Sequence, residues 1–493
     1  MSIKPILSTG LNSSPIQEHN LNEKQLRVAV LTSKCGGLEI IASAIKEALQ
    51  NRFPLAHILT GGKHDELVDS LLPTGSWGLA IHRKAAEKQE FRYMAVALKL
   101  GRQFASWKEA DMQGKLDAYI REFNPHLIVS AAPLINSALL RAAASYNIPV
   151  LTVTADMDNS LYSHHWPTTP LAPHRYIIPY FCQEIVNTIH PGVDKTKVLA
   201  LGYPIRPEFS RDVAIEERQQ LRQELFVPEG KKLILLMVGG SLGSQGNYAY
   251  VKEIIALDRP AHYVVLCGRQ EAMKQALEKL LQDMGFTEEV DGHKKRFIKG
   301  ALSFDIQGFR KDVHKFYSIA RCIITKPGPG TFNEALVQKV PLLLDDTAGH
   351  IPWEGMNIGF AEQYGLGKGI FNLREIGSAL DEMLTDATHE KYLQALTTFR
   401  EERPGQFHFR DNLQNAAVEI LEEARAIVLS PPVEKTKESC CITAKKVAIF
   451  ILKVLCFPFI QLHHFFTEWL PKKIIQFAFF SAFILAKDSV LSN

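Results

Sequence analysis

Ile323-Ile324-Thr325-Lys326-Pro327-Gly328-Pro329-Gly330-Thr331-Phe332-Asn333-Glu334-Ala335 reads as a strand running into a glycine turn and then a helix. A helix start carries unpaired amides and the positive end of the peptide dipoles, so it favours an anion such as a diphosphate. Gly328 and Gly330 remove the Cβ atoms that would hold backbone away from a phosphate. Glu334, one turn into the helix, is a carboxylate able to accept hydrogen bonds from vicinal hydroxyls such as a ribose offers. The same pattern also suits an ordinary strand-to-helix turn capped by Thr331. It is neither G-x-G-x-x-G nor the G-K-[ST] of a P-loop.

Three features outside this stretch favour the ligand-binding alternative. A second glycine loop, Gly239-Gly240-Ser241, follows the apolar run KLILLMV (232–238). After VPLLLDD (340–346), Glu354-x-x-Asn357 puts two polar groups on one face of a helix start. Arg206, in Gly202-Tyr203-Pro204-Ile205-Arg206-Pro207, stands at a junction from which a guanidinium can reach a phosphate across a cleft, or sit exposed at a hinge.

Strand and helix patterns alternate along most of the chain. LRVAVLT (26–32), PHLIVSAAP (125–133), PVLTVTAD (149–156) and RYIIPY (175–180) read as buried strands with helical stretches between them. After a charged linker the series resumes with KLILLMV, HYVVLCG (262–268), RCIIT (321–325) and VPLLLDD. Two blocks of this kind predict an α/β protein with two Rossmann-like doubly wound domains facing across a cleft, ligands binding at the carboxyl ends of the strands. The expected division is a flexible leader (1–24), a first domain (25–209), a linker (210–230), a second domain (231–410), an amphipathic helix (411–430) and a tail (431–493).

The chain has 493 residues, 46% hydrophobic and 22% charged, with net charge +3. It is long enough for two or three domains, and a mostly disordered chain is excluded. The small net charge gives no overall pull towards nucleic acid. The tail from Pro431 carries eight Lys against four acidic residues and is the basic part of the molecule. The seven cysteines form no C-x-x-C pair, so neither a zinc site nor a disulfide framework is expected, and Cys267 and Cys322 read as buried hydrophobes.

IQGF (306–309), IITKPGPGTFNEAL (323–336), PWEGMN (352–357) and EQYGLG (362–367) together resemble the monogalactosyldiacylglycerol synthase family. Its wider relatives include diacylglycerol glucosyltransferases and the peptidoglycan N-acetylglucosaminyltransferase. In the first half VLTSKCGG, PHLIVSAAPL and LGYPIRPEF add to the match, which runs over about 26–380. The resemblance implies a GT-B glycosyltransferase whose C-terminal helix crosses back to the first domain. It implies a UDP-sugar donor, with Gly328, Gly330 and Thr331 at the diphosphate, Glu334 at the ribose, and Glu354 and Asn357 near sugar and phosphate. Arg206 would neutralise leaving-group charge, and no metal or other cofactor is called for.

Two departures from the family pattern matter. The glycine turn after the first strand, which ends in histidine in the family, reads Ser33-Lys34-Cys35-Gly36-Gly37-Leu38-Glu39 here. An acceptor hydroxyl needs a proton acceptor, and Glu39 and Asp156 are the candidate catalytic groups that remain. Trp353 stands where the family has glutamine.

Two apolar runs, VAIFILKVLCFPFI (447–460) and IIQFAFFSAFILA (474–486), sit beside Lys pairs in the tail. Each falls short of the roughly 20 residues a spanning helix needs, so residues 440–490 are expected to lie in or dip into a membrane surface facing the cytoplasm. The functional expectation is hexose transfer from a UDP-sugar to a membrane lipid acceptor such as diacylglycerol, with no nucleic-acid partner. Alternatives on the same fold are a UDP-sugar epimerase, a protein-directed transferase, or an inactive binding module at a membrane.

Overall fold

A computed structural model describes residues 23–33, 37–71, 101–103, 105–167, 172–238, 245–292 and 294–429. The first sheet contains β1 (Arg27–Leu31), β2 (His57–Leu59), β3 (Leu127–Ser130), β4 (Val150–Val153), β5 (His174–Ile178) and β6 (Val198–Ala200). Their order is β2-β1-β3-β4-β5-β6, all parallel. The winding reverses between β1 and β3, so the crevice of this lobe opens where those two strands end.

The second sheet contains β7 (Leu233–Met237), β8 (His262–Leu266), β9 (Thr287–Asp291), β10 (Lys294–Lys299), β11 (Leu302–Gln307), β12 (Ala320–Thr325), β13 (Leu342–Asp345) and β14 (Gly367–Ile370). Its order is β14-β13-β12-β7-β8-β11-β10-β9. The six parallel strands from β14 to β11 have the doubly wound order of a dinucleotide-binding sheet, with its switch point between β7 and β12. The antiparallel pair β9–β10 extends the far edge. The sequence reading did not anticipate this hairpin, and the reason is physical: β9 is TEEVD, exposed along its whole length, with no apolar face to give a pattern.

Strands covered on both faces read as unbroken apolar runs. In β7, Leu233 and Leu235 join one core cluster while Ile234 and Leu236 join another on the opposite face. The first of these clusters also takes in Val30, Val129 and Leu151 of the first sheet, so the two lobes share a continuous apolar core. Phe209, in the connection between the sheets, meets Tyr317 edge-on at 4.9 Å.

The chain passes between lobes twice, and the two passages touch. Gly202 has φ +95°, and a Cβ there would stand 2.8 Å from the Gln406 carbonyl oxygen. Helix Phe409–Leu429 then returns to the first lobe. Arg410 pairs with Glu47 at 2.8 Å, the Gln414 side chain donates to the Ala48 carbonyl at 2.9 Å, and Arg175 pairs with Glu423 at 2.7 Å.

Candidate active site

The switch point of the second sheet positions the glycine turn. Thr325, the last residue of β12, pairs in register with Met237, the last of β7. Gly328 caps helix Pro329–Gln338 in an extended conformation, and among the described residues no side-chain cap bond is made at the helix start. Thr331 is therefore not the cap. Pro329 at the first helical position has no amide to leave unpaired, and the amides of Gly330 and Thr331 remain for an anion. A Cβ on Gly328 would lie 3.6 Å from Glu354 Oε1, while one on Gly330 would meet nothing within 4 Å. The Glu354 carboxylate thus rests over the helix start.

Around the turn the side chains are tied down. The Asn357 amide donates to the Pro327 carbonyl at 2.6 Å, and its buried Oδ1 has no partner among the described residues. Lys326 Nζ is 2.6 Å from Asp345 Oδ2. Asp345, itself buried, accepts from the Tyr250 hydroxyl at 2.9 Å and from the Thr347 amide and hydroxyl. Lys326 is a fixed cation at the base of the turn. Trp353 is partly buried against the shared core.

Arg206 and Glu334 meet each other. Arg206 Nε donates to Glu334 Oε1 at 2.9 Å and Nη2 to Oε2 at 3.1 Å, a bidentate pair between the interlobe connection and the helix after the turn. Glu334 is 5% exposed. Burial pushes its carboxyl up from the ordinary range, and the charge and hydrogen bonds of Arg206 pull it back. The guanidinium also rests over the Phe209 ring at 4.5 Å.

Asp156 lies just beyond β4, buried, with Oδ2 accepting from the Tyr162 hydroxyl at 3.2 Å. Burial raises its pKa to about 7, against the lowering effect of the Tyr162 bond. The loop is stitched in place by Asn136, whose amide donates to the carbonyls of Ala132 and Tyr162 and whose Oδ1 accepts from Ser130. Glu354 belongs to the same electrostatic neighbourhood. Burial and then the charge of Asp156 raise its pKa to about 8, with Lys326 opposing. Tyr203 sits among these groups: its hydroxyl donates to the Ala155 carbonyl at 2.9 Å, and Asp156, Glu334 and Glu354 add to burial in pushing its phenol well up.

The structure therefore brings Arg206, Glu334, Glu354 and Asp156 to one junction, with Gly328, Gly330, Thr331 and Asn357 at the adjoining turn. Glu39 stands apart, exposed in the first turn of helix Leu38–Arg52, where a carboxylate complements the helix dipole. Gly239, Gly240 and Ser241, the stretch 34–36 of the first glycine turn, and the tail 440–490 lie outside the described residues.

Sequence reasoning passed over Lys326, Tyr162 and Tyr203; Tyr203 reaches a partner 48 residues away, whereas Tyr162 bonds Asp156 only six residues before it. Sequence reasoning also quoted IQGF without giving it a place. Gln307 and Leu266 end β11 and β8 side by side, and beyond them the Arg269 guanidinium covers the Phe309 ring at 5.0 Å, with Phe309 half exposed. A cavity of ≈ 580 Å³ lined by Arg218, Tyr317, Gln338 and Lys339 opens at the other end of helix Pro329–Gln338, away from the glycine turn. Among the described residues no cluster of three or more His, Cys, Asp or Glu is arranged to hold a metal. Cys182, Cys267 and Cys322 are free and buried.

No family model matches the chain. Monogalactosyldiacylglycerol synthase 2 of Arabidopsis thaliana is 27% identical over 288 residues, 56% of this chain and 55% of that protein. The processive diacylglycerol beta-glucosyltransferase of Bacillus pumilus is 25% identical over 323 residues, 64% of this chain and 73% of that one. The chain is similar to diacylglycerol glycosyltransferases. It spans about half the length of the plant relatives it matches. The structure of Medicago truncatula UGT71G1, solved with UDP-glucose, superposes with a TM-score of 0.50 over 81% of this chain and 99% of the other at 10% identity, a likeness of fold alone. With the two doubly wound sheets and the returning helix, the architecture is that of a GT-B α/β fold.

Proposed function

We propose that the protein transfers a hexose from a uridine diphosphate sugar to a hydroxyl of a membrane lipid such as diacylglycerol. The observation that carries this reading is the uncapped helix start at Gly328, beside the β7/β12 switch point, with the Glu354 carboxylate over it and the buried Glu334 further along the same helix. Similarity to diacylglycerol glycosyltransferases supports the sugar and lipid classes.

In this reading the open amides at Gly330 and Thr331 and the fixed charge of Lys326 hold the diphosphate, and Glu334 takes the ribose hydroxyls. Asn357 keeps the turn in shape through the Pro327 carbonyl. The acceptor oxygen attacks the anomeric carbon, the bond from that carbon to the diphosphate oxygen breaks, and the acceptor proton passes to Asp156. A carboxylate titrating at about 7 is suited to that task near neutrality. Glu354, titrating at about 8, is protonated there and donates a hydrogen bond to a sugar hydroxyl. Arg269 and Phe309, at the ends of β8 and β11, are the groups we assign to the base. Residues 25–209 form the acceptor domain and 231–410 the donor domain, and the tail at 440–490 holds the enzyme on the cytoplasmic face of a membrane. Among the described residues no helix is long and apolar enough to cross a bilayer.

Purified protein incubated with labelled UDP-sugars and mixed-lipid vesicles should yield a glycolipid, and Glu334→Ala should abolish it. Unchanged turnover in that variant would refute the site. Donor consumption without a lipid product would refute the lipid acceptor.

A further inference from the structure

The two charged groups a nucleotide sugar would use most are bound to each other. Arg206 donates to both Glu334 oxygens and the Glu334 side chain is only 7% exposed, so the guanidinium screens the carboxylate from ribose hydroxyls while the pair stands. The Arg206 side chain is 30% exposed, and Nη1 makes none of the hydrogen bonds that hold the pair. Phe209 supports the guanidinium from below and offers a face on which it can turn. Gly328 lies six residues before Glu334, about 9 Å along the helix axis, and helical side chains tilt towards the helix start.

We infer that Arg206 makes this pocket selective for diphosphorylated nucleosides, by withholding Glu334 until a diphosphate draws the guanidinium away. The inference rests on the uridine diphosphate reading above. The energetics follow from the charges. A nucleoside alone must part a buried ion pair and leave Arg206 without an anion, which is costly. A nucleoside diphosphate parts the same pair but supplies phosphate oxygens to the guanidinium, a stronger set of charge-assisted bonds than one carboxylate gives. Ribose and diphosphate recognition thereby become one event. An arginine that merely touched phosphate would leave nucleoside affinity unchanged when removed. An arginine that occludes the ribose site raises it.

The test is calorimetric titration of the full chain with uridine and with UDP, at mildly alkaline pH so that Glu334 stays ionised. Arg206→Met keeps the stem over Phe209 and loses the charge. It should bind uridine about tenfold more tightly, while UDP binding stays level or weakens, so the preference for UDP over uridine collapses. Arg206→Lys should fall between. Thermal melting confirms that each variant is folded. A folded Arg206→Met with unchanged or weaker uridine affinity overturns the inference. A second arm needs no variant: inorganic diphosphate added to the wild-type chain should tighten uridine binding several-fold, and independent or competitive binding overturns the proposal. If wild-type protein binds UDP but neither arm behaves as expected, the inference fails alone. If it binds neither uridine nor UDP, the donor reading fails with it.

Discussion

Glu334 and Asp156 are buried carboxylates contributed by opposite lobes to one junction, and the molecule treats them in opposite ways. Glu334 has a guanidinium on both oxygens. Asp156 has one phenol hydroxyl and, among its neighbours, the carboxylates of Asp158 and Glu354. A carboxylate paired with a guanidinium has the upward push of burial opposed by the opposite charge, as at Glu334. One left to burial and like charges holds its proton to a higher pH and can exchange it near neutrality. In the function proposed above, this difference assigns binding to the second lobe and proton transfer to the first. The second lobe offers fixed charges and open amides to a ligand, and the first offers a group with a movable proton.

The sharpest way to break that contrast is Asp156→Asn. The amide keeps the shape and its Oδ1 can still accept from Tyr162, but it takes no proton. Turnover should fall by about 10²–10⁴-fold with UDP affinity unchanged, as expected for loss of a general base. In the wild-type enzyme the rate should climb as pH rises through about 7, the range in which Asp156 loses its proton. Glu334→Gln, by contrast, should weaken donor binding and leave the acid limb of the pH profile in place. If Asp156→Asn loses donor affinity instead, the division of labour between the lobes is wrong.

Next in size is the hinge that brings the two carboxylates to the same place. Gly202 has φ +95°, and a Cβ there meets the Gln406 carbonyl oxygen at 2.8 Å. Gly202→Ala should destabilise the protein by about 2–3 kcal/mol, since backbone strain and a clash with backbone add together. Gly328→Ala is the counterpart at the turn. With φ −63° and the nearest atom 3.6 Å away, it should cost little stability while pushing on the Glu354 carboxylate and weakening UDP binding. Chemical denaturation and UDP titration of both variants separate the two effects.

The unpaired carboxylates also leave a mark on stability. A folded-state pKa above the unfolded value means the native state binds protons more tightly, so the contribution of Asp156 is fully present below about pH 4 and is lost as pH rises through about 7. Asp156→Asn should therefore melt higher than wild type at pH 8.5, by an amount equivalent to about 1–2 kcal/mol, and the gain should shrink as pH falls. Equal melting shifts at acid and alkaline pH would mean that the Asp156 carboxyl is not held protonated by its surroundings.

Much of the fold was legible because both faces of the sheets are covered: runs such as LILLM in β7 and LLLD in β13 carry no alternation and cannot be amphipathic helices of that length. The turn at Gly328 was legible because glycine beside a strand end is a local signal. The β9–β10 hairpin was not, because its outer strand buries nothing. Nor were the pairings that define the junction. Arg206 and Glu334 are 128 residues apart, and Tyr203 reaches the Ala155 carbonyl across 48. Sequence gave each residue a ligand to touch, whereas only the packing of one lobe on the other decides that two of them touch each other. Glu39, at a helix start, and Asp156, at a strand end, were both candidate proton acceptors in the sequence. Burial, which depends on Tyr162, Asn136 and the opposite lobe, separates them.

The smallest expected effect completes the comparison of charges. Arg410 and Glu47 join the returning helix to helix Leu38–Arg52 at 2.8 Å, with side chains 43% and 40% exposed. The distance resembles that of Arg206 and Glu334, but water screens the outer pair and competes for both partners. A double-mutant cycle on Arg410 and Glu47 should give a coupling of about 0.5 kcal/mol or less, fading with salt. Removing Arg206 alone from the pair should cost about 3 kcal/mol or more, because it leaves the mostly buried Glu334 charge without its partner. Similar geometry then carries different energy, and burial is the variable that separates them. A strong, salt-insensitive coupling at Arg410 would show that the returning helix is clamped by charge. A weak one leaves that task to the apolar contacts of Leu413, Ala417, Ile420 and Leu421, all of them in the shared core.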